Sequence, residues 1–567
     1  MLTNVLQRRR RSLDGPWHVI VDPYEMGYIG ILGDRNDRGF FRDHKPRHSA
    51  DRVEYDFDRS PTLMVPGDWN TQDERLFFYE GTVWYRRRIT VAPDEWRGAR
   101  QFLHIGAANH TSRIFVDGDE LAIHSGGFGP YAIELTGRLD PGEHSIVIQV
   151  DNRREPDRIP AMRSDWWNFG GLTRSVDIVD VPETFLRDAW LTMDPSGRVI
   201  GGVTIDGDSG EPVRLELPGL GASTIVDGAF ELDIDPERWH PGKPVLHDVM
   251  WSVGDDEVTD SVGFRTVEVD GTDIVVNGKP TFLRGISIHE EAPLDGGRAF
   301  GVEHARTLLG WAKELGCNFV RLAHYPHHEA MVRLADEMGL LVWSEIPVYW
   351  TILWDRPETY AAAERQLTEM ITRDRNRASV ILWSVANETP VGDARLRFLT
   401  RLIERARALD ETRLVTAATE LTRDGTALVL ADPLIAHLDV VGANEYVGWY
   451  GGAPEDALTL TWRSDYDKPL IVSEFGGGAR YGLHGDPGTR WTEEYQEALY
   501  VSQIAMLRKV PFLRGMSPWI LADFRSPRRL LPGIQDYWNR KGLISDRGQR
   551  KKAFFVLRDF YRELAGR

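Results

Sequence analysis

The chain has 567 residues, of which 42% are hydrophobic and 27% charged, and its formal net charge is −18. This length is too great for a single hydrophobic core, so we expect roughly three or four domains. The acidic balance argues against nucleic acid or an acidic membrane surface as a partner, and no apolar run approaches the roughly 18 residues of a membrane span.

The start of the chain gives little information about cellular location. It lacks the apolar core of a secretion signal, so we expect a cytoplasmic protein, or a periplasmic or secreted one if a leader has been trimmed. The run from Arg8 to Arg11 is expected to be a solvated tail, as blocks of like charge usually are. The single Cys317 precludes an intramolecular disulfide framework, and this leaves either redox compartment open.

Residues 1–182 are strand-like and rich in turn signals. Apolar and polar residues alternate over 82–91, 112–118 and 145–151, and Asp-Gly and Pro-Gly turns interrupt this alternation. The pattern predicts an all-β sandwich. A second, smaller β segment follows over 183–269, and its size is typical of an immunoglobulin-like sandwich.

Over 270–567 the pattern changes to alternating strands and helices. The candidate strands are 282–288, 318–324, 340–346, 380–387, 413–418, 438–444, 469–473 and 513–519, with amphipathic helices such as 302–315, 360–373 and 493–507 between most of them and a last helix near 551–564. Eight such units predict a closed (β/α)₈ barrel. An open doubly wound sheet is the alternative, but it would need a Gly-rich turn after an early strand, and none follows 282–288.

Two apolar runs in the predicted barrel end abruptly in a glutamate. These are Trp-Ser-Val-Ala-Asn-Glu at 383–388 and Ile-Val-Ser-Glu-Phe-Gly-Gly at 471–477. Catalytic groups sit at the carboxyl ends of barrel strands, so Glu388 and Glu474 can face each other across one pocket. Such a pair is the minimum equipment for cleaving a glycosidic bond, and Asn387 could hydrogen-bond a sugar hydroxyl. Taken singly, either glutamate could instead cap a helix or form a salt bridge beside a turn.

With these motifs at the ends of its fourth and seventh predicted strands, the sequence resembles glycoside hydrolase family 2 over nearly its whole length. It is most similar to the β-glucuronidase branch of that family. The resemblance implies a jelly-roll, sugar-binding-like sandwich, an immunoglobulin-like sandwich and a catalytic TIM barrel, in that order, and a homo-oligomer. It also implies that Glu388 is the acid/base and Glu474 the nucleophile of a retaining double displacement that needs no cofactor.

The expectation of a uronide substrate depends on the segment Asn539-Arg-Lys541-Gly. It resembles the Asn-x-Lys motif with which β-glucuronidases bind the substrate's carboxylate, and an ammonium with an amide would supply the local cationic spot that an acidic enzyme needs. A plain surface turn is the alternative. The arginine that the branch carries four residues before the Asn is Gln535 here, so Arg528 or Arg529 would have to substitute, and a galacturonide or modified uronide stays conceivable.

Five further positions match residues of the family. The resemblance implies that Tyr446 hydrogen-bonds the nucleophile, that Tyr450 lines the sugar pocket, and that Asp165 reaches from the first sandwich to a sugar hydroxyl. It also implies that His289 binds substrate and that Trp519 is an aromatic platform for the sugar ring. For each of these except Tyr446, core packing or loop structure is the alternative.

The segment His324-Tyr-Pro-His-His-Glu329 invites a metal interpretation. It lacks the H-E-x-x-H spacing, and the chemistry already has two carboxylates. The family match makes His324 a residue behind those that touch the substrate, and we expect no metal.

The expected function is therefore that of an exo-acting, retaining hydrolase of β-linked uronides, with β-D-glucuronides as substrates. A β-galacturonidase or a neutral-sugar β-galactosidase of the same family is the first alternative. A non-catalytic carbohydrate-binding protein is the second, and the presence of both Glu388 and Glu474 with Asn387 and Tyr446 argues against it.

Overall fold

The computed structural model describes residues 1–29, 47–93, 95–96, 98, 100–208, 210–226, 228–292 and 294–566. Two β-sandwiches precede a closed barrel, so the architecture predicted from the sequence is confirmed. The limits predicted for each domain, at 182/183 and 269/270, remain predictions.

The first sandwich consists of two antiparallel sheets. The larger has the strand order Thr62–Val65, Gly15–Asp22, Thr82–Val91, Gly142–Asp151, Thr111–Val116 and Asp119–Ser125, and the smaller has the order Arg10–Ser12, Val176–Val181, Arg100–Ile105 and Tyr131–Glu134. A short pair joins Ala108–Asn109 to Gly171–Leu172, and short helical segments lie at Val5–Gln7, Phe57–Arg59, Trp69–Gln72 and Glu74–Leu76. Alternate strand residues point inward and pack around the fully buried Trp17 and Trp69.

The arginine run near the start is not a solvated tail, so this prediction is wrong. Strand Arg10–Ser12 pairs with Val176–Val181 in the smaller sheet. Arg8 is buried, and its guanidinium lies 2.6 Å from a carboxylate oxygen of Asp256 in the second sandwich. Each arginine from Arg8 to Arg11 has a carboxylate partner. These partners offset the like-charge repulsion on which the prediction relied.

The second sandwich is smaller. A three-stranded sheet, Phe185–Met193, Val199–Asp206 and Gly228–Leu232, faces a four-stranded sheet in the order Gly221–Ile225, Val213–Leu217, His247–Val253 and Asp256–Val262. Its core surrounds the buried Trp251. A three-stranded meander of Val267–Asp270, Asp273–Val276 and Lys279–Pro280 follows, and its apolar side chains pack against the barrel.

The barrel is closed by its first strand. In chain order its strands are Leu283–Arg284 with Ser287–Ile288, then Phe319–Leu322, Leu341–Glu345, Val380–Asn387, Leu414–Glu420, Val440–Asn444, Leu470–Glu474 and Leu513–Met516. Leu283–Arg284 pairs with the eighth strand and Ser287–Ile288 pairs with the second, all in parallel. The two halves of the first strand therefore stand at both ends of the sheet, which closes it. All eight residues of Val380–Asn387 are buried, as expected for a strand covered on both faces.

Helices follow six of the eight strands in the described part of the chain. They are Gly301–Leu315, Glu329–Met338, Pro357–Asp374 and Asp393–Leu409 after strands one to four, and Glu493–Leu507 and Lys552–Ala565 after strands seven and eight. Strands five and six are followed by the 3₁₀ helices Pro433–His437 and Pro454–Thr459 and by a small sheet of Thr422–Asp424, Ala427–Leu430 and Thr461–Ser464. The Asp424-Gly425 turn favours this hairpin over a helix. No helix within the described ranges combines the length and apolarity that a membrane crossing requires.

Two loop segments meet above the carboxyl ends of the barrel strands. One is the sandwich loop 152–170, and the other is the hairpin of Phe524–Arg525 and Trp538–Asn539 that follows strand eight. The backbone N–H of Trp167 donates to the carbonyl of Arg525 at 3.0 Å. Trp166 packs in one aromatic cluster with Tyr349 and Trp519. The first sandwich and the barrel therefore both contribute residues around the open end of the barrel.

Candidate active site

A pocket of about 240 Å³ lies at the carboxyl ends of the barrel strands. Its lining residues are Asp165, His324, Tyr349, Trp350, Glu388, Tyr446, Tyr450, Glu474, Trp519, Arg528, Arg529 and Lys541. A larger cavity of about 1080 Å³ on the first sandwich contains none of these groups. Size alone therefore does not mark the site, whereas the two strand-end glutamates do.

Glu388 follows the fourth strand and has a left-handed backbone conformation, with φ of 49°. Such a conformation costs a residue with a side chain roughly 1–3 kcal/mol. Its two carboxyl oxygens accept hydrogen bonds from Trp350 Nε1 at 2.8 Å and from Asn444 Nδ2 at 2.9 Å. Burial, and then the negative charge of Glu474, raise the pKa of Glu388 to about 7 although both hydrogen bonds oppose this. Near neutral pH this group can therefore donate a proton.

Glu474 is the last residue of the seventh strand. Arg321 donates to its Oε1 at 2.8 Å, and the Tyr446 hydroxyl donates to its Oε2 at 2.6 Å. Both donors hold the carboxylate in one orientation. Arg321 is fully buried. Glu474, which it binds, nevertheless lines the pocket and can reach a ligand there. A carboxylate held in one orientation in that position is equipped to act as a nucleophile.

Arg321 also binds Glu345, the last residue of the third strand, at 2.9 Å. Burial opposes ionisation of Glu345, but the charge of Arg321 and the contact with His324 lower its pKa to about 2. His324 Nδ1 lies 2.9 Å from Glu345 Oε1, and the imidazole stacks on Trp519 with ring centroids 4.7 Å apart. This buried network fixes the floor of the pocket beneath Glu474. The sequence reasoning missed Arg321 and Glu345, although a charged residue inside the apolar run 319–322 was a usable signal.

Asn387 connects the surroundings of the two glutamates. Its Oδ1 accepts from Arg321 at 2.7 Å and from Asn444 at 3.3 Å. Its Nδ2 is buried and finds no hydrogen-bond partner among the described residues. An unpaired buried donor is costly, but Asn387 does not line the pocket, and its contact with a sugar hydroxyl remains a prediction.

Asp165 anchors the hairpin loop after strand eight. It accepts from Ser526 Oγ at 2.6 Å and from Asn539 Nδ2 at 3.3 Å, and it forms an ion pair with Arg529. Loop 152–170 thus fixes the hairpin. Both carboxylate oxygens of Asp165 are engaged by the protein, and its contact with a sugar hydroxyl remains a prediction.

Two cationic groups converge on the hydroxyl of Tyr450. Lys541 Nζ donates to it at 2.7 Å, and Arg529 donates to it at 3.5 Å. Lys541 is buried, with 3% of its surface exposed, and no carboxylate forms an ion pair with it among the described residues. Its ammonium lies 5.3 Å from the ring centroid of Tyr446. This side of the pocket can therefore hold an anionic group.

Three of the predicted residues do not line the pocket: His289, Asn387 and Asn539. His289 Nδ1 lies 3.1 Å from the Tyr325 hydroxyl, and its ring packs against Phe524 with centroids 4.2 Å apart. Burial lowers the pKa of His289 well below its usual value, so the ring is neutral. Its predicted role as a direct substrate ligand remains a prediction.

Two histidines of the histidine-rich segment contact the protein backbone. His327 Nε2 lies 2.8 Å from the carbonyl of Ala323, and His328 Nδ1 accepts from Ala330 at the start of Glu329–Met338. In the described portions of the chain, no group of three or more His, Cys, Asp or Glu side chains is arranged to hold a metal ion.

Trp350 was also not among the site residues predicted from the sequence, although it contacts Glu388 directly. It lies five residues after Glu345, in the segment Ile-Pro-Val-Tyr-Trp at 346–350 that leaves the third strand. Aromatic residues just beyond a barrel strand at its carboxyl end were the available signal.

Comparison with known proteins assigns the family. The family model for the TIM barrel domain of glycosyl hydrolases family 2 matches residues 267–565, and that for the family's sugar binding domain matches residues 11–182. The chain belongs to glycosyl hydrolases family 2. It is accordingly a glycoside hydrolase, as the sequence predicted.

Individual relatives are β-glucuronidases. A β-glucuronidase of Paenibacillus borealis is 29% identical over 99% of this chain and 98% of its own length. The crystal structure of Ruminococcus gnavus β-glucuronidase matches with a TM-score of 0.85 and 25% identity, over 98% of each chain. A structure of that enzyme in complex with D-glucuronic acid matches with a TM-score of 0.84, at 25% identity and with 98% of each chain covered. The predicted likeness to the β-glucuronidase branch is confirmed.

Proposed function

We propose that this chain is an exo-acting, retaining hydrolase of β-uronides, with β-D-glucuronides as its substrates. The observation that carries the proposal is Lys541, a buried ammonium without a carboxylate partner among the described residues, in the same pocket as Glu388 and Glu474. A buried charge is costly unless it is paired. A uronate would supply the missing anion, whereas a neutral sugar would not.

Arg529 is the proposed second cation for the substrate's carboxylate. It shares the Tyr450 hydroxyl with Lys541, so an anion beside that hydroxyl would meet both cationic groups. Gln535 does not line the pocket, and its side chain accepts from the backbone N–H of Leu531 at 3.3 Å. We propose that Arg529, which lines the pocket, takes the place of the arginine that the β-glucuronidase branch has at the position of Gln535.

In the first step, Glu474 Oε attacks the anomeric carbon while Glu388 transfers its proton to the glycosidic oxygen. The bond between the anomeric carbon and that oxygen breaks, the aglycone leaves as an alcohol, and a glycosyl ester of Glu474 forms. The pKa of Glu388, raised to about 7, supplies the protonated form that this step needs.

In the second step, Glu388 acts as a base. Glu474 carries no charge in the ester, so one of the causes that raise the pKa of Glu388 is removed and its carboxylate is favoured. Glu388 takes a proton from water, the water oxygen attacks the anomeric carbon, and the ester bond breaks. The sugar leaves with its anomeric configuration retained, and both glutamates return to their starting states.

The size of the pocket supports exo action. At about 240 Å³ it is smaller than the range of roughly 300–1,000 Å³ of typical drug-sized ligand sites, so it suits one terminal sugar residue. Trp519 lines the pocket, so its indole would pack against the sugar ring.

The decisive experiment compares one aryl leaving group on β-glucuronide, β-galacturonide, β-glucoside and β-galactoside. Wild type is expected to prefer the glucuronide. Lys541→Ala is expected to lower kcat/KM for the glucuronide by about 100-fold, because a hydrogen-bonded ion pair is worth up to about 3 kcal/mol. The same substitution is expected to lower kcat/KM for the glucoside only a few-fold. Lys509→Ala, at an exposed lysine remote from the pocket, is the matched control. Equal losses on both sugars would remove the argument from Lys541.

Retention is tested by trapping the intermediate. A 2-deoxy-2-fluoro glucuronyl fluoride is expected to label the peptide that contains Glu474, and NMR of the first product is expected to show the β-anomer. An α-anomer, or a label on another residue, would contradict the mechanism. The homo-oligomer and the cellular location suggested by the sequence remain predictions, and light scattering tests the first.

A further inference from the structure

The indole of Trp350 has two partners at the mouth of the pocket. Its N–H donates to Glu388 at 2.8 Å, and the guanidinium carbon of Arg528 lies 4.4 Å from the centroid of its ring. Glu388, Trp350 and Arg528 therefore form a continuous row from the pocket to the protein surface. All three residues line the pocket.

This row lies on the leaving-group side, provided that the proposed function is correct. Glu388 must reach the glycosidic oxygen, so whatever flanks Glu388 toward solvent faces the aglycone. Lys541 and Tyr450 belong to the other side, because they adjoin Tyr446, which binds Glu474. Arg528 thus contacts the indole that binds Glu388, whereas Arg529 donates to Tyr450 on the side of the uronate.

Arg528 and its neighbour Arg529 have different environments. Arg529 forms an ion pair with Asp165, whereas Arg528 has an exposed side chain and no carboxylate partner among the described residues. A guanidinium that lies over an aromatic ring can still offer N–H groups to an anion. The stacking also restricts the side chain, so less conformational entropy is lost when an anion binds.

We propose that Arg528 and Trp350 form a leaving-group subsite that favours aglycones with an anionic group near the scissile bond. A carboxylate is the expected group, carried either by an aromatic ring or by a second acidic sugar. The subsite would explain why a chain with a net charge of −18 has three cationic side chains, Arg528, Arg529 and Lys541, around one small pocket. Two of them serve the uronate, and the third serves the leaving group.

The test measures kcat/KM for the β-glucuronides of 3-hydroxybenzoate and 3-hydroxybenzamide, which differ in charge but little in shape. Wild type is expected to favour the benzoate by about five- to tenfold at low salt, the size of a partly exposed charge-assisted contact, and added salt should reduce the preference. In Arg528→Gln the ratio should fall to about one, and in Arg528→Lys it should be partly kept. Arg547→Gln, at another exposed arginine, should keep the wild-type ratio.

A second pair of substrates distinguishes the two sources of the anion. Disaccharides with glucuronic acid linked to a uronic acid or to glucose show whether an acidic sugar or an acidic aryl group is preferred. The proposed subsite is refuted if the wild-type ratio of kcat/KM between the charged and the neutral substrate is near one for both pairs, or if Arg528→Gln leaves that ratio unchanged. Either result leaves the proposed function standing. If wild type cleaves no glucuronide or galacturonide but cleaves neutral β-glycosides, the proposed function fails. The subsite is then tested by comparing kcat/KM for the same two aryl groups on the neutral glycoside.

Discussion

Replacing Trp350 by Phe removes one hydrogen bond to Glu388 and keeps an aromatic ring in place. The indole N–H stabilises the ionised carboxylate, so its loss raises the pKa of Glu388 further above its ordinary value. Activity requires protonated Glu388 in the first step. The basic limb of the pH profile of kcat/KM, expected near pH 7 in wild type, should therefore move to higher pH.

The magnitude follows from the strength of this bond. A hydrogen bond to a charged group is worth about 1.5–3 kcal/mol, and one pKa unit corresponds to about 1.4 kcal/mol. Glu388 keeps its bond from Asn444, and water in the pocket can partly replace the lost donor. We therefore expect the limb to move up by about one pH unit, with a drop of about tenfold in kcat/KM at the optimum because the carboxyl is less well oriented.

The assay is kcat/KM for an aryl glucuronide from pH 5 to pH 9. Trp354→Phe is the matched control, because this indole packs against Phe398 and does not line the pocket. A limb that stays in place in Trp350→Phe, or a wild-type profile without a basic limb between about pH 6 and 8, would refute the assignment of Glu388 as the proton donor.

Two further predictions concern the glutamates themselves. Glu474→Gln should reduce kcat by at least about 10⁴-fold with unchanged circular dichroism, and full activity would exclude it as nucleophile. Glu388→Gln should stabilise the fold at high pH only. The pKa of Glu388 is raised from 4.5 to about 7 in the folded protein. Ionised Glu388 therefore lowers the free energy of unfolding by up to about 3 kcal/mol above pH 7, and this cost vanishes below pH 4.5. Thermal denaturation at pH 4.5 and pH 8 checks this, and an equal shift at both pH values would count against it.

The strand-end glutamates show how far local sequence can reach. Glu388 and Glu474 were found because each ends an apolar run, but Glu345 ends the run Leu-Val-Trp-Ser-Glu at 341–345 in the same way. Only the fold separates them: Arg321 binds both Glu345 and Glu474, but Glu345 does not line the pocket, whereas Glu388 and Glu474 do. Whether a strand-end carboxylate reaches the cavity depends on neighbouring strands, which a local pattern does not contain.

The arginines of the hairpin after strand eight show the same limit. The sequence offered Arg528 and Arg529 as equal substitutes for the arginine missing at Gln535. The structure separates them, because Asp165, 364 residues away in the chain, holds Arg529, while Arg528 stacks on Trp350. A loop's conformation is set by its contacts, and here the contact comes from another domain.

The sequence by itself determined the order of the two sandwiches and the barrel, the eight barrel strands and the two glutamates. Hydrophobic periodicity and turn residues act locally and can be read along the chain. The tertiary structure decided the raised pKa of Glu388, the orientation of Glu474 and the ammonium of Lys541 left without an ion pair among the described residues. These properties arise from burial and from charges brought together by packing, and they exist only once distant segments meet.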